Sequence, residues 1–407
     1  MLEQAMLPGG LRIVGERIPH FRSVSVGLWV GAGSQFECAA QGGVSHFIEH
    51  MLFKGTEKRS ARQIAEAMDA VGGQLNAFTA KECTCYYARV VDEHLPLAMD
   101  VLSDMLTASL FREEDIEREK GVVLEEINMA EDNPEDVVSE LIMLARYGEQ
   151  PLARPILGTP KTLTALTRED ILSYFDRMYR PDNCVLAVAG HYDWDEVLEL
   201  AGKYFGSWAR GEDPLPVYRT APFAPGSLRR QKDVEQLHLC LGYPGVAWDD
   251  EALYPLSLVN SVFGGANSSR LFQSIREDRG LAYSVYSYPA SYRDTGVLVV
   301  YAGVAPRHAD AVLNLMGEEA RKLAEEGMSR SEFEQARAQM RAGYILGLES
   351  TSSRMSAMGR RLLLQGAPQS EEEVLQRIDG ITYEKVCEAG RAALSAQPAL
   401  ALVGRDL

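Results

Sequence analysis

Two of the seven histidines, His46 and His50, stand one helical turn apart with a carboxylate, Glu49, between them, and these are the residue types that hold a metal ion and move a proton. On an α-helix, residues i and i+4 project from one face, so both imidazoles can turn a ring nitrogen toward a single cation. Glu49 falls on the same side without being needed as a ligand. The order His-x-x-Glu-His reverses the commoner zinc-binding order His-Glu-x-x-His. The plainer reading is a polar helix face with two incidental histidines, and the rest of the chain decides between the two.

A length of 407 residues exceeds what one hydrophobic core usually serves, which predicts two domains of about 200 residues. Hydrophobic residues make up 46% and charged ones 24%, as in ordinary folded chains, with no Pro/Gly/Ser-rich tract that would form a disordered arm. Acidic residues outnumber basic ones 58 to 41, and the formal charge of −17 disfavours nucleic acid and anionic membranes as partners. It favours cationic partners if the acidity gathers in a cleft, and otherwise serves general solubility. The cysteines Cys38, Cys83, Cys85, Cys184, Cys240 and Cys387 show no Cys-x-x-Cys spacing and read as free thiols. Cys83 and Cys85 share one strand face as small apolar side chains, because no second pair completes four ligands. Neither a leader of basic then apolar residues nor a run of about 18 apolar residues is present, so a soluble, cytoplasmic protein is expected.

Several elements must position the histidines. Alternation of small or polar with apolar residues predicts strands over 11–14 and 23–30, ended by Gly31-Ala32-Gly33. A helix over 43–54 then carries the motif. Ser60 and Gln63 form a capping box for the next helix, whose apolar face is Ile64, Met68 and Val71 and which stops at Gly72-Gly73. The runs 75–79 and 84–91 predict an antiparallel pair. Helical periodicity covers 94–110, 113–129, 135–146 and 167–179, the last capped by Thr167 with Asp170. A buried strand over 183–189 and a helix over 193–204 complete the first half. Pro214, Pro216, Pro222 and Pro225 make 206–230 an extended connector, which places the domains at 1–210 and 228–407.

Beyond the connector the same order of elements returns. Phe53-Lys54-Gly55 matches Phe263-Gly264-Gly265, Thr167 matches Thr382, and Val188-Ala189-Gly190 matches Leu402-Val403-Gly404. The chain reads as a duplicated α+β unit, and its paired strands and grouped helices predict two domains, each an antiparallel sheet with helices packed on one side. In the second half His46, Glu49 and His50 correspond to Leu256, Val259 and Asn260. The fold can be built without the polar trio, which favours the metal reading.

A catalytic zinc normally takes three protein ligands and keeps one position open. The helix from Glu113 offers the third. Glu119 and Glu126 lie two turns apart on one face, whereas Glu125 points about 100° away from Glu126. The second half has small residues near the matching places, Ala336 and Gly343. Either Glu119 or Glu126 can be the ligand, with the other holding a ligand in orientation.

These residues resemble the pitrilysin-type inverted zincin metallopeptidases, most closely the bacterial homologues of the mitochondrial processing peptidase, over essentially the whole chain. The resemblance rests on Gly42 to Thr56, on Asn76-Ala77-Phe78-Thr79, and on the stretch from Glu119 to Glu126. It implies His46, His50 and Glu126 as zinc ligands, since the family's third ligand follows the second histidine at the spacing that Glu126 has here. Glu119 takes a supporting role beside the site. The implied activity is that of a zinc endopeptidase cutting extended peptides or precursor segments within a closed chamber, with Glu49 as general base toward water activated by the metal. Arg276 and Tyr283 resemble the arginine and tyrosine that the family brings onto its substrate. Tyr283 would donate to the oxyanion and Arg276 would hold the substrate backbone, where otherwise they are a helix end running into a strand. Asn76, Ala77, Phe78 and Thr79 resemble the edge strand to which substrates add as a further strand. One chain carries both groups of residues, which implies a self-sufficient homodimer acting on peptide or unfolded polypeptide, basic segments included. A non-catalytic structural or assembly subunit of the same fold is the alternative, and it requires no metal.

Overall fold

The computed structural model describes residues 2–211, 213–220 and 222–405. The chain begins with β1 (Leu2–Met6), β2 (Arg12–Arg17) and β3 (Ser23–Val30), then α1 (Val44–Leu52) and α2 (Ala61–Asp69). The hairpin β4 (Gln74–Thr79) and β5 (Thr84–Val91) follows, and after it the helices α3 (Leu95–Ala108), α4 (Glu113–Asp132), α5 (Pro134–Tyr147), α6 (Pro160–Ala165) and α7 (Arg168–Met178). β6 (Cys184–Gly190) and α8 (Trp194–Phe205) close the first half. The second half runs β7 (Ser227–Gln231), β8 (Leu237–Gly245), α9 (Leu253–Asn260), β9 (Ala282–Ser291) and β10 (Gly296–Val304). It continues through α10 (Ala309–Glu325), α11 (Arg330–Gly347), α12 (Thr351–Gln365), α13 (Glu371–Asp379), α14 (Tyr383–Leu394) and β11 (Ala399–Gly404). The local signals act as their chemistry requires. Ser60 and Gln63 cap α2 reciprocally, as Thr167 and Asp170 cap α7.

The chain forms two compact units. One comprises Met1–Ile127, Pro155–Tyr218 and Ile345–Ser370, and the other Asn128–Arg154, Arg219–Tyr344 and Glu371–Leu407. The first contains a six-stranded sheet in the order β1-β2-β6-β3-β5-β4, antiparallel except where β2 runs parallel to β6. The second contains a five-stranded sheet in the order β7-β11-β8-β10-β9, again with one parallel pair, β7 with β11. β3, β5, β4 and β6 correspond in order and pairing to β8, β10, β9 and β11, which is the duplication seen as topology. The parallel pairs depart from strict antiparallel order because long crossovers bring those strands back in the same direction.

Helices also cover both faces of each sheet. On the first, β3 offers Val26, Leu28 and Val30 to Phe47 and Met51 of α1 and to Leu102 of α3. Its other face carries Trp29, Val185 and Ala187, and these pack on Met355, Met358 and Leu362 of α12. The second sheet buries one face in its own helices and turns Cys240, Val297 and Ala401 toward Val138 and Ile142 of α5. A sheet apolar on both faces must be covered twice. A single cut between residues 210 and 228 therefore does not separate the units, since α12 belongs to the first and α5 to the second. All six cysteines are free, and among the described residues no helix is long and apolar enough to cross a membrane.

The α12 contact depends on Gly359. A Cβ there would meet Trp29 Cδ1 at 2.4 Å and Ala187 Cβ at 3.0 Å, and the fully buried indole cannot swing aside. In an exposed helix, Gly→Ala gains about 1 kcal/mol. Here overpacking outweighs that gain. Gly359→Ala is expected to lower the unfolding free energy by about 1–3 kcal/mol, measured by urea denaturation.

Candidate metal centre

α1 is short, and its orientation follows from what it buries. Val44, Phe47, Ile48 and Met51 enter the core of the first unit, which leaves His46, Glu49 and His50 half-buried on the opposite side. Across from them, Ile116, Val123 and Ile127 bury one side of α4 and turn Glu119 and Glu126 toward α1. Packing of two apolar faces thus brings the polar residues together.

His46 Nε2 lies 3.6 Å and His50 Nε2 3.4 Å from the same Glu126 oxygen, Oε2. The three ligand atoms are all within 4.8 Å of one another. Tetrahedral zinc with bonds of about 2.0–2.1 Å separates its ligand atoms by roughly 3.4 Å, so the donor set suits that ion in chemistry and the two distances to Glu126 match its spacing. Glu126 keeps about a third of its side chain exposed, which leaves the site open on one side.

Glu119 is the support. Its carboxylate is buried, with Oε1 2.8 Å from His50 Nδ1 and Oε2 2.6 Å from Lys54 Nζ. His50 donates Nδ1–H to this carboxylate, which directs the Nε2 lone pair toward Glu126. Burial alone would raise the Glu119 carboxyl, but its bonds to His50 and Lys54 outweigh it and hold the group below its ordinary value. Burial likewise works against a charged His50, and the Glu119 bond with the surrounding carboxylates more than offsets it, so its pKa is raised. His46 has no such neighbour. Burial, then the charge of His50, lowers it to about 4, and its Nδ1 is enclosed without a hydrogen-bond partner.

Glu49 faces the same space. The Thr79 hydroxyl donates to its Oε2. Burial raises the Glu49 carboxyl above its usual range, and the Thr79 bond acts in the other direction. A carboxylate so placed is basic enough to accept a proton and is held in one orientation.

The four residues read from sequence as a substrate strand form the end of β4, the outermost strand of its sheet. Asn76 Oδ1 accepts from Ala77 N–H, and the half-exposed Phe78 ring packs edge-on to Trp29 with centroids 5.5 Å apart. Thr79 does something the sequence did not announce, since its side chain is committed to Glu49. Lys54 was also without a role in the sequence, although it lies one turn beyond His50. Arg276 and Tyr283 stand in the second unit, where the guanidinium lies 4.8 Å from the tyrosine ring centroid and 4.7 Å from that of Phe272. Tyr283 is 76% exposed.

Residues 12–160 match the family model described as insulinase (peptidase family M16), and residues 165–340 match that of the peptidase M16 inactive domain. All the residues placed at the metal centre lie in the first match. The chain is 43% identical to the uncharacterized zinc protease YmxG of Bacillus subtilis, over 99% of this chain and 98% of that protein. It is 42% identical to an uncharacterized zinc protease of Streptomyces coelicolor, covering 99% and 89%. Its fold is shared with a protease from Helicobacter pylori, with a TM-score of 0.94 at 21% identity over 99% of each chain. A peptidase M16 inactive domain structure from Pseudomonas fluorescens gives a TM-score of 0.93 at 19% identity, over 100% and 98%. The chain therefore belongs to peptidase family M16, the pitrilysin-type metallopeptidases.

Proposed function

We propose that this protein is a zinc-dependent endopeptidase that hydrolyses extended peptides, with Glu49 as its general base. The observation that carries this reading is the convergence of His46, His50 and Glu126 beside a fourth residue, Glu49, whose carboxylate is not a ligand. Zinc held there supplies a Lewis acid that polarises a carbonyl oxygen and makes water nucleophilic near neutral pH. Glu49 takes a proton from the water as its oxygen bonds to the carbonyl carbon, and returns the proton to the amine nitrogen as the C–N bond breaks. Thr79 keeps the Glu49 carboxylate turned to that task. Glu119, braced by Lys54, keeps His50 in the tautomer that can bind metal. The free edge of β4 offers main-chain N–H and C=O groups to an extended substrate, a mode that accepts many sequences. Arg276 and Tyr283 are assigned to the substrate backbone and to the oxyanion.

The decisive experiment digests a mixed peptide library with wild type, chelator-treated protein and Glu49→Gln. Glu49→Gln is expected to retain zinc and to lose at least about 100-fold in kcat. Cleavage by that variant at the wild-type rate would refute the assignment. Glu119→Gln removes the negative charge behind His50 and is expected to weaken zinc binding by about 10–100-fold, read by competition with a chelating dye. Tyr283→Phe should leave zinc content unchanged and lower kcat by about 100-fold or more; an unchanged kcat removes Tyr283 from the mechanism.

A further inference from the structure

His46 occupies the first turn of α1, where backbone N–H groups have no partner inside the helix and the chain frays most readily. A capping side chain at the preceding position would normally hold such a turn. Here that is excluded. The N-cap is Gly43, with φ of 94°, and a Cβ on it would meet the Leu157 carbonyl oxygen at 2.6 Å. The cap comes from outside the helix instead. Glu37, fully buried, accepts Gly43 N–H at Oε2 (2.7 Å) and Ser45 N–H at Oε1 (2.8 Å). Ser45 is tied further by its hydroxyl, 2.8 Å from the Tyr174 hydroxyl, which donates in turn to the Gly33 carbonyl.

We propose that Glu37 is a positioning residue for the metal centre, its two bonds to the first turn of α1 fixing where His46 points relative to His50 and Glu126. This deepens the proposed function and rests on it for the role of the metal.

Stability does not explain a carboxylate in that place. Burial raises Glu37 from 4.5 to about 7, against the opposing bonds from Ser45 and Gly43 and the weaker attraction of Lys81 in the β4–β5 turn. Tyr174 on α7 faces it as a second ionisable group, itself held neutral by burial and by the Glu37 charge. A carboxyl whose pKa is raised on folding contributes most to stability below its unfolded value, and that contribution is lost as pH rises from about 4.5 through about 7. At pH 8 a neutral amide of the same shape would avoid that burial cost, while losing the acceptor that faces one of the two N–H groups. The ionised group has a different advantage, since it accepts from both N–H groups at once and opposes the positive end of the helix.

The full-length protein with Glu37→Gln and with Glu37→Ala tests this through zinc affinity, measured by dye competition at pH 8, and through the thermal midpoint of the metal-free form. The expected result for Glu37→Gln is zinc binding weaker by about tenfold with a metal-free midpoint no lower than wild type. Glu37→Ala is expected to weaken zinc binding at least as much. Wild-type zinc affinity in Glu37→Gln overturns the proposal, as does a loss of affinity accompanied by a lowered metal-free midpoint, which would mark a merely structural role. No substrate enters the measurement. Absence of zinc from the wild type sinks the proposed function and this inference together, whereas normal binding in Glu37→Gln sinks this inference alone.

Discussion

The metal centre depends first on which face of α1 is buried. Phe47, Ile48 and Met51 are locked among the strands and helices of the first core, and a nine-residue helix gripped along that stripe has no freedom to roll. This packing directs His46, Glu49 and His50 to the opposite side of the helix. The same holds for α4, whose buried Ile116, Val123 and Ile127 determine where Glu119 and Glu126 appear. Apolar burial is non-directional in itself, but the helical period converts it into a direction for every other side chain.

Electrostatics supplies what packing leaves open. Glu49, Glu119 and Glu126 surround two histidines, and Lys54 is a cation that touches this group. Such crowding of carboxylates is costly unless positive charge is added, and protons on His50 can meet only part of the need. A divalent cation held by His46, His50 and Glu126 would relieve that repulsion. The buried Glu119 already has two partners and is left to its supporting role. The choice between Glu119 and Glu126 that helix geometry left open thus has a physical basis. Glu119 is spent on His50 Nδ1 and Lys54, while Glu126 turns one oxygen to both Nε2 atoms.

Much of this was legible in the sequence, for identifiable reasons. Helix periodicity places His46 with His50 and Glu119 with Glu126, and local capping signals at Ser60 and Thr167 act over three residues, so a linear reading finds them. The helix over 135–146 was legible as a helix, but the sheet faces that α5 and α12 cover were not. α5 and α12 have ordinary amphipathic patterns, and nothing in such a pattern says which sheet a helix will cover. The side chains that hold the centre from behind escaped for a related reason. Thr79 in a strand and Glu37 in a loop reach α1 only after the chain has folded back, and a contact of that kind leaves no spacing to detect.

The second half of the chain shows how little of the site the fold requires. α9 follows β8 as α1 follows β3, yet Leu256 and Val259 stand where His46 and Glu49 would be, and both are buried in the core. Asn260, in place of His50, accepts a hydrogen bond from Ser287 within its own unit. In α11, Ala336 is buried where α4 has Glu119. The copy without a metal thus satisfies these positions by packing or by a local hydrogen bond, which is what stability alone would select. The first copy keeps carboxylates and histidines at the same places, where they must be desolvated, braced and capped from a distance. Two solutions on one architecture separate what the fold needs from what a metal centre would need, and Glu119, replaced by the buried Ala336 in the second copy, falls on the second side.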